Sequence, residues 1–206
     1  MKTFNVSEGL PNYSQRNNQI RPLSTCNTTS YTMATSYIPE LWERFQNSED
    51  FRRFSNFPQA EDRLTAALDG WKLNVTVHND LMNGYNRFMG GRYARFSTAN
   101  RWTDLVSDMI DRNLPWVGSG TFPGYPNPLK SPLGHIIAVV GLRYESDPTR
   151  PEGVIVDDPY GNTMDGWRGS GNDVVIPWEL FVKWMKPLEN SDGSLFWAHR
   201  FVPEGY

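Results

Sequence analysis

Hydrophobic residues in the first half of the chain recur mainly at helical spacing. This periodicity predicts helices over residues 59–70, 78–89 and 102–112, each with one apolar face. A further helix is expected from Cys26, because no Pro or Gly occurs between that residue and Tyr37. Pro39 should end or kink it. The residues before Cys26 are polar and rich in turn formers, which predicts an extended arm, residues 1–25, rather than a helix.

After Asn113 the pattern changes to short apolar runs separated by turn residues. These runs predict strands at 115–118, 135–144, 153–157, 173–177 and 195–202, with one helix at 178–186 between the last two. The run at 135–144 is almost continuously apolar, so we expect both of its faces to be covered. A helical half followed by a strand-rich half predicts an α+β fold, and the length favours one domain over residues 1–206.

Composition and charge narrow the class of protein. The chain is 38% hydrophobic and 21% charged, as in ordinary soluble globular proteins, and its eight Trp residues hint at a large binding cleft. The net charge is −3 and no run of Lys or Arg occurs, which argues against nucleic acid as the main partner.

No apolar stretch is long enough to cross a bilayer, so no membrane insertion is expected. The N-terminus lacks the apolar core of a signal peptide. We therefore expect the protein in the cytoplasm of the producing cell. Alternatively, it reaches the cell wall by a route that this chain does not encode.

The chain contains one cysteine, which excludes an internal disulfide framework and a multi-cysteine zinc site. A lone Cys is usually a small buried hydrophobe. Cys26, however, follows the capping-type residues Ser24 and Thr25, where a helix should begin. The partial positive charge of a helix N-terminus lowers the pKa of a thiol and favours the nucleophilic thiolate.

Three histidines could serve as the base for this thiol. His78 lies at an expected helix start, and His199 lies in an alternating strand, where it would be packed or exposed to solvent. His135 opens a buried strand directly after Gly134, which leaves room for a reacting group. We therefore favour His135.

The expected pairing of two strands brings carboxylates toward His135. Strands 135–144 and 153–157 are joined by a turn-rich loop, so antiparallel pairing places the start of the first beside the end of the second. Asp157 and Asp158 then lie close to the imidazole. A carboxylate on one imidazole nitrogen and a thiol on the other form a catalytic triad. On spacing alone, a structural Cys26 explains the pattern equally well.

Four short blocks strengthen the triad hypothesis. They are Ser14-Gln15-Arg16-Asn17-Asn18, Thr25-Cys26-Asn27-Thr28-Thr29, Gly134-His135-Ile136-Ile137 and Val156-Asp157-Asp158-Pro159. In this order they resemble the landmarks of papain-like cysteine peptidases related to the bacteriocin-leader peptidases, the family C thirty-nine-like group. The resemblance implies a papain-like fold, with a helical N-terminal half packed on an antiparallel sheet.

The same resemblance implies a role for each matched residue. Cys26 would be the nucleophile, His135 its base, Asp158 the residue that orients the base, and Gln15 the oxyanion donor. Asp157 stands where the group usually has an amide, so it remains an alternative carboxylate. Gln19 remains an alternative donor, because papain-like enzymes often carry this residue only a short distance before the Cys. No metal or organic cofactor is required, and residues 40–113 form a long insertion without a recognisable motif.

The function expected from this resemblance is hydrolysis of amide bonds in peptidoglycan peptides, as by a phage endolysin. Cleavage of a protein or leader peptide is the alternative within the same chemistry. Two other hypotheses are a non-enzymatic cell-wall or carbohydrate-binding module with a structural Cys26, and a calcium site in the oxygen-rich loop 157–165. The aromatic loops 116–127 and 160–171 are the candidate walls of a cleft.

Overall fold

A computed structural model describes residues 1–10, 12–125, 134–185 and 195–206. Its helices are α1 (Cys26–Ser36), α2 (Pro39–Asn47), α3 (Glu49–Arg53), α4 (Ala60–Gly70), α5 (His78–Phe88), α6 (Trp102–Arg112) and α7 (Trp178–Met185). Its strands are β1 (Lys2–Asn5), β2 (Ala94–Arg101), β3 (Trp116–Gly120), β4 (His135–Tyr144), β5 (Gly153–Asp157), β6 (Val174–Pro177) and β7 (Leu195–Phe201).

The strands form one antiparallel sheet in the order β2-β7-β3-β4-β5-β6, and β1 pairs with the far half of β4. Strand β4 is buried on both faces, as its apolar run predicts. Ile136 and Ala138 pack into the cluster that includes α1, α2, α4 and α5. Ile137 and Val139 pack on the opposite face, with side chains of α6 and α7. The mixed helical and antiparallel architecture confirms the expected α+β fold.

Most helices and strands lie within one or two residues of the predicted ranges. The expected helix at 178–186 is α7, and residue 186 lies outside the described residues. Two helices were missed, α2 and α3. Pro39 does mark the boundary after α1, but it also occupies the first position of α2, where a missing N–H costs nothing.

The sequence pattern also did not predict two of the strands, β1 and β2. Strand β2 lies at the sheet edge and buries only Ala94 and Asn100, so it has little of the apolar alternation of a half-buried strand. Strand β1 lies in the predicted extended arm and pairs with β4 beside Gly141. A side chain at Gly141 would collide with β1, because its Cβ would lie 2.2 Å from the carbonyl oxygen of Phe4. The arm also contains a short 3₁₀ turn at Gln15–Asn17, which was not expected.

Within the described ranges, no helix combines the length and the apolar character needed to cross a membrane.

Candidate active site

Cys26 is the first residue of α1. It is buried, with 9% of its surface exposed. Thr25 precedes it without capping the helix through its side chain. Instead, the Thr25 hydroxyl accepts a hydrogen bond from Asn18 Nδ2 at 2.8 Å. The sulfur therefore lies at the N-terminus of the helix, where the unpaired N–H groups favour a negative charge.

His135 is the first residue of β4, and its imidazole is held by Asp158. The His135 Nε2 to Asp158 Oδ1 distance is 2.8 Å, and both side chains are fully buried. The same carboxylate oxygen accepts a bond from the backbone N–H of Tyr160 at 2.8 Å. The backbone N–H of Asp158 donates to Gly171 at 2.9 Å. A Cβ at Gly171 would lie 2.0 Å from the Asp158 carbonyl oxygen, so only glycine permits this approach.

Asp157 points to the other side of the sheet. Its Oδ2 accepts a bond from the Tyr37 hydroxyl at 2.7 Å, and its Oδ1 accepts one from the backbone N–H of Asp173 at 2.7 Å. The strand register differs from the expected one, because Asp157 pairs with Ala138 rather than with the start of β4. Asp158, one residue beyond the strand, reaches His135 with its side chain.

The thiol and the imidazole shift each other's pKa. Burial raises the pKa of Cys26, but the hydrogen bond and charge of His135, together with a bond from the Ile136 backbone, outweigh it and leave this pKa below its ordinary value. Burial lowers the pKa of His135, but Asp158 and Cys26 outweigh it and raise this pKa to about 9. A thiolate beside an imidazolium is therefore the favoured charge state.

The contact between the two groups is close but not well aligned. Since His135 Nε2 is bonded to Asp158, the nitrogen that faces the sulfur is Nδ1. Among the described residues, Nδ1 has no partner that meets strict hydrogen-bond geometry. Loose geometry of this kind is common in sites without substrate and tightens when substrate binds.

Gln15 lies beside this pair, and Gln19 does not. The Gln15 side chain is fully buried, and its Nε2 donates to the carbonyl of Pro22 at 3.0 Å. It also lies beside the Tyr125 hydroxyl, which is close to the Cys26 sulfur. The backbone N–H of Gln15 donates to Pro159 at 2.9 Å, which ties the arm to the turn after Asp158.

Gln19 is exposed, and its backbone is held elsewhere. The Asp62 carboxylate of α4 accepts bonds from the backbone N–H groups of Gln19 and Ile20 at 2.7 and 3.0 Å. Asp62 is fully buried. The sequence carries no signal for this anchor, because Asp62 reads there as an ordinary acidic residue in the first turn of a helix.

Aromatic rings cover the imidazole. Tyr125 stacks on it with a centroid distance of 4.2 Å, and the edges of Trp167 and Phe122 lie at 5.2 and 5.5 Å. Both predicted wall segments contribute to this cover, although residues 126 and 127 lie outside the described residues. Trp116 was wrongly grouped with them. It lies in β3, inside the core with Phe181 and Phe196.

The other two histidines form a separate pair, in which His199 is buried and His78 is half-buried. His199 Nε2 lies 2.9 Å from His78 Nδ1, and His199 Nδ1 lies 2.5 Å from the Tyr31 hydroxyl. Burial lowers the pKa of both imidazoles. His199 is thus a hydrogen-bonded core residue. Of the two expected positions, packed or exposed to solvent, its side chain takes the packed one.

The loop 157–165 does not gather its oxygens into one site, because Asp157 and Asp158 face opposite sides of the sheet. In the ranges that the structure describes, no three His, Cys, Asp or Glu side chains are grouped closely enough to hold a metal ion.

The sequence profile of the Peptidase_C39 like family matches residues 7–181, which include all four predicted site residues. The chain belongs to this family. A solved structure described as a C39-like peptidase from Bacillus anthracis is similar over 100% of both chains, with 15% identity and a TM-score of 0.56. At this identity the C39-like neighbour shows a shared fold. No curated protein matches the chain.

Family and fold together indicate a peptidase. In this fold, Cys26 at the start of α1 lies at the end of the sheet where β4 begins.

Proposed function

We propose that this protein is a cysteine peptidase in which Cys26 is the nucleophile and His135 is its base. Asp158 would orient the base, and Gln15 would donate a hydrogen bond to the oxyanion. The observation that supports this proposal best is the buried chain of contacts from Asp158 through His135 to Cys26 at a helix N-terminus. It combines a lowered thiol pKa with a raised imidazole pKa, which is the combination that a thiolate nucleophile needs.

In the proposed reaction, the Cys26 thiolate attacks the carbonyl carbon of the scissile amide. A C–S bond forms, and the carbonyl electron pair moves to oxygen. Gln15 Nε2 and the backbone N–H of Cys26 would donate to this oxyanion. The His135 imidazolium then gives its proton to the leaving amine as the C–N bond breaks. Water, deprotonated by His135, hydrolyses the thioester and releases the acid and the thiolate.

Asp158 would act by holding the imidazole. Its carboxylate accepts a hydrogen bond from the Nε2–H of His135, and this contact leaves Nδ1 facing the sulfur. Because the Tyr160 N–H and the close backbone of Gly171 fix Asp158 in turn, the imidazole is held in one orientation.

We propose peptide stems of peptidoglycan as the substrate, with proteins or leader peptides as the alternative. Support for peptidoglycan comes from the sequence resemblance, whereas the structure bears on the chemistry of the site. Mass spectrometry of fragments released from purified peptidoglycan, run beside an unstructured protein substrate, would separate the two. New amino termini within the peptide stems support the first, and cleavage of the protein alone supports the second.

The first prediction is that Cys26→Ala abolishes hydrolysis and leaves the fold intact. The chain has no second thiol to replace it. Cys26 exposes only 9% of its surface, and alanine is of similar size, so we expect the substitution to be mild. Release of peptide fragments measures activity, and circular dichroism measures folding.

EDTA serves as the parallel control, because the proposed mechanism uses no metal. Wild-type turnover in the Cys26→Ala protein would refute the thiol mechanism. Strict dependence on an added metal would move the chemistry to another site.

A further inference from the structure

The proposed catalytic groups are closed to an external substrate. Gln15 and the side chains of His135 and Asp158 are fully buried, and Cys26 exposes only 9% of its surface. Nucleophilic attack requires the sulfur to reach a carbonyl carbon of another molecule. A group that now covers the sulfur must therefore move before the reaction.

Among the described residues, Tyr125 lies over the catalytic groups. Its ring lies almost parallel to the His135 imidazole, with an interplanar angle of 25° and a centroid distance of 4.2 Å. Its hydroxyl lies close to both the Cys26 sulfur and the Gln15 side chain. Of the aromatic residues around His135, Tyr125 is thus the one that contacts the nucleophile itself.

The position of this hydroxyl has a specific chemical meaning. In the tetrahedral intermediate, the oxyanion is one carbon away from the sulfur and within hydrogen-bond reach of the Gln15 amide. Gln15 Nε2 carries two hydrogens, and the carbonyl of Pro22 takes one of them at 3.0 Å. The other is available for the oxyanion, and the Tyr125 hydroxyl lies beside this amide. The phenol oxygen and a substrate oxygen cannot both occupy this place.

We propose that Tyr125 blocks its own active site: in the free protein its hydroxyl stands in for the scissile carbonyl oxygen, and substrate binds productively only after the side chain leaves. This inference rests on the proposed function, since it assumes that Cys26 and Gln15 act on a carbonyl.

The charge state of the site supports the contact. Burial raises the pKa of the Tyr125 hydroxyl, and the negative charges of Cys26 and Asp158 raise it further. The hydroxyl therefore stays protonated and can donate a hydrogen bond to the nearby thiolate. Departure of Tyr125 would remove that hydrogen bond and leave a more reactive sulfur.

The local backbone is suited to such a movement. Gly124, directly before Tyr125, has a φ of +68°, a conformation that glycine adopts without strain. The turn is closed by a long hydrogen bond of 3.4 Å from the Tyr125 N–H to Phe122. A second bond, from Trp167 Nε1 to the Pro123 carbonyl, measures 3.3 Å. Among the described residues, rotation at this turn would break these two long hydrogen bonds and the ring contacts of Tyr125 with His135, Tyr160 and Trp167.

Alkylation of Cys26 by iodoacetamide tests the proposal without needing a substrate, because this is the only thiol in the chain. Wild type is compared with Tyr125→Ala and Tyr125→Phe. Tyr93→Ala is the matched control, since Tyr93 is a partly buried tyrosine that packs against Arg44 instead. We expect Tyr125→Ala to react at least about tenfold faster than wild type, because the open fraction rises toward one. The alkylation rate of Tyr125→Phe should lie between those of wild type and Tyr125→Ala. The rate of Tyr93→Ala should match that of wild type.

Unfolding would also expose the thiol, so the pH dependence is part of the readout. In a folded Tyr125→Ala protein the lowered thiol pKa keeps alkylation fast at pH 6. An unfolded thiol loses reactivity about tenfold for each pH unit below its ordinary pKa. If Tyr125→Ala does not fold, a faster reaction of folded Tyr125→Phe supports the proposal, and a rate equal to wild type refutes it.

Equal alkylation rates for wild type and folded Tyr125→Ala would overturn the blocking role. Loss of turnover in both Tyr125 variants without faster alkylation would instead make Tyr125 a donor that stays in place. Failure of the proposed function looks different: Cys26→Ala would keep its activity while the alkylation rates still ranked as expected.

Discussion

Two adjacent carboxylates, Asp157 and Asp158, have the same chemistry and opposite surroundings. Successive residues of a strand face opposite sides of a sheet, so one step along the chain separates a contact with His135 from a contact with Tyr37. Burial raises the pKa of Asp157 to about 6, and bonds from Asp173 and Tyr37 offset part of that cost. Its hydrogen bonds link β5 to α1 and to the turn before β6, which is a structural role.

We therefore predict different losses for the two amide variants. Asp158→Asn should lower kcat by at least about a hundredfold with little change in Tm, because an amide no longer favours the required imidazole tautomer. Asp157→Asn should keep most of its kcat but lower Tm, because it loses an acceptor for Tyr37 or Asp173. Steady-state kinetics and thermal unfolding measure the two effects. The reverse ranking of kcat would transfer the orienting role to Asp157.

At the scale of elements, the arm is held in place by several short links. Asp62 of α4 binds its backbone at Gln19 and Ile20, and Asn18 donates from its side chain to Thr25 and Thr29 at the start of α1. An arm with little regular structure is thereby fixed against the helix that carries Cys26. This packing presents the Gln15 side chain to the site and leaves that of Gln19 in solvent.

We predict that Gln15→Ala lowers kcat by about a hundredfold, the usual cost of one oxyanion donor. Gln19→Ala is the matched control and should be nearly silent, because its side chain is exposed and its backbone link to Asp62 survives the substitution. Both are measured on the same substrate, with folding checked by circular dichroism. A large loss in Gln19→Ala with none in Gln15→Ala would mean that the other glutamine is the donor.

At the scale of the whole molecule, the segment 40–113 supplies much of the helical layer over α1. One cost of this layer is a buried acid, Glu61 of α4, which is fully buried without a well-aligned hydrogen bond among the described residues. Burial, with a smaller effect of Asp62, raises the pKa of Glu61 to about 7. A raised carboxyl pKa means that folding favours the protonated form. Stability is thus lost as the pH rises from the ordinary carboxyl value through 7.

We predict that Glu61→Gln removes this loss. Relative to wild type, its free energy of unfolding should increase by up to about 3 kcal/mol between pH 4 and pH 8, because the pKa of Glu61 is raised from 4.5 to about 7. Glu40→Gln, at an exposed position in the first turn of α2, is the control and should show no such change. Urea unfolding at the two pH values measures the difference. An increase of the same size in both variants, or in neither, would contradict the assignment.

Sequence patterns were informative where one local signal dominated. The periodicity of α4, α5, α6 and α7 and the apolar runs of β4 and β5 predicted their ranges closely. Strand β2 and helix α3 escaped because neither has a strong apolar face: β2 is an edge strand, and α3 contains no buried residue. Such elements owe their conformation to neighbours, which a local pattern does not reveal.

The candidate site divides in the same way. Cys26 at a helix start, His135 at the head of a buried strand and an aspartate before Pro159 follow from local order along the chain. The choice of Asp158 as the contact of His135 depends on the face of β5, and the run Val154-Ile155-Val156 is apolar on both faces. The burial of Asp62 and Glu61 depends on contacts between residues far apart in the chain, and so does the position of the Tyr125 hydroxyl near Cys26. Spacing along a chain reports which residues share an element, but only packing decides which side chain lies against which.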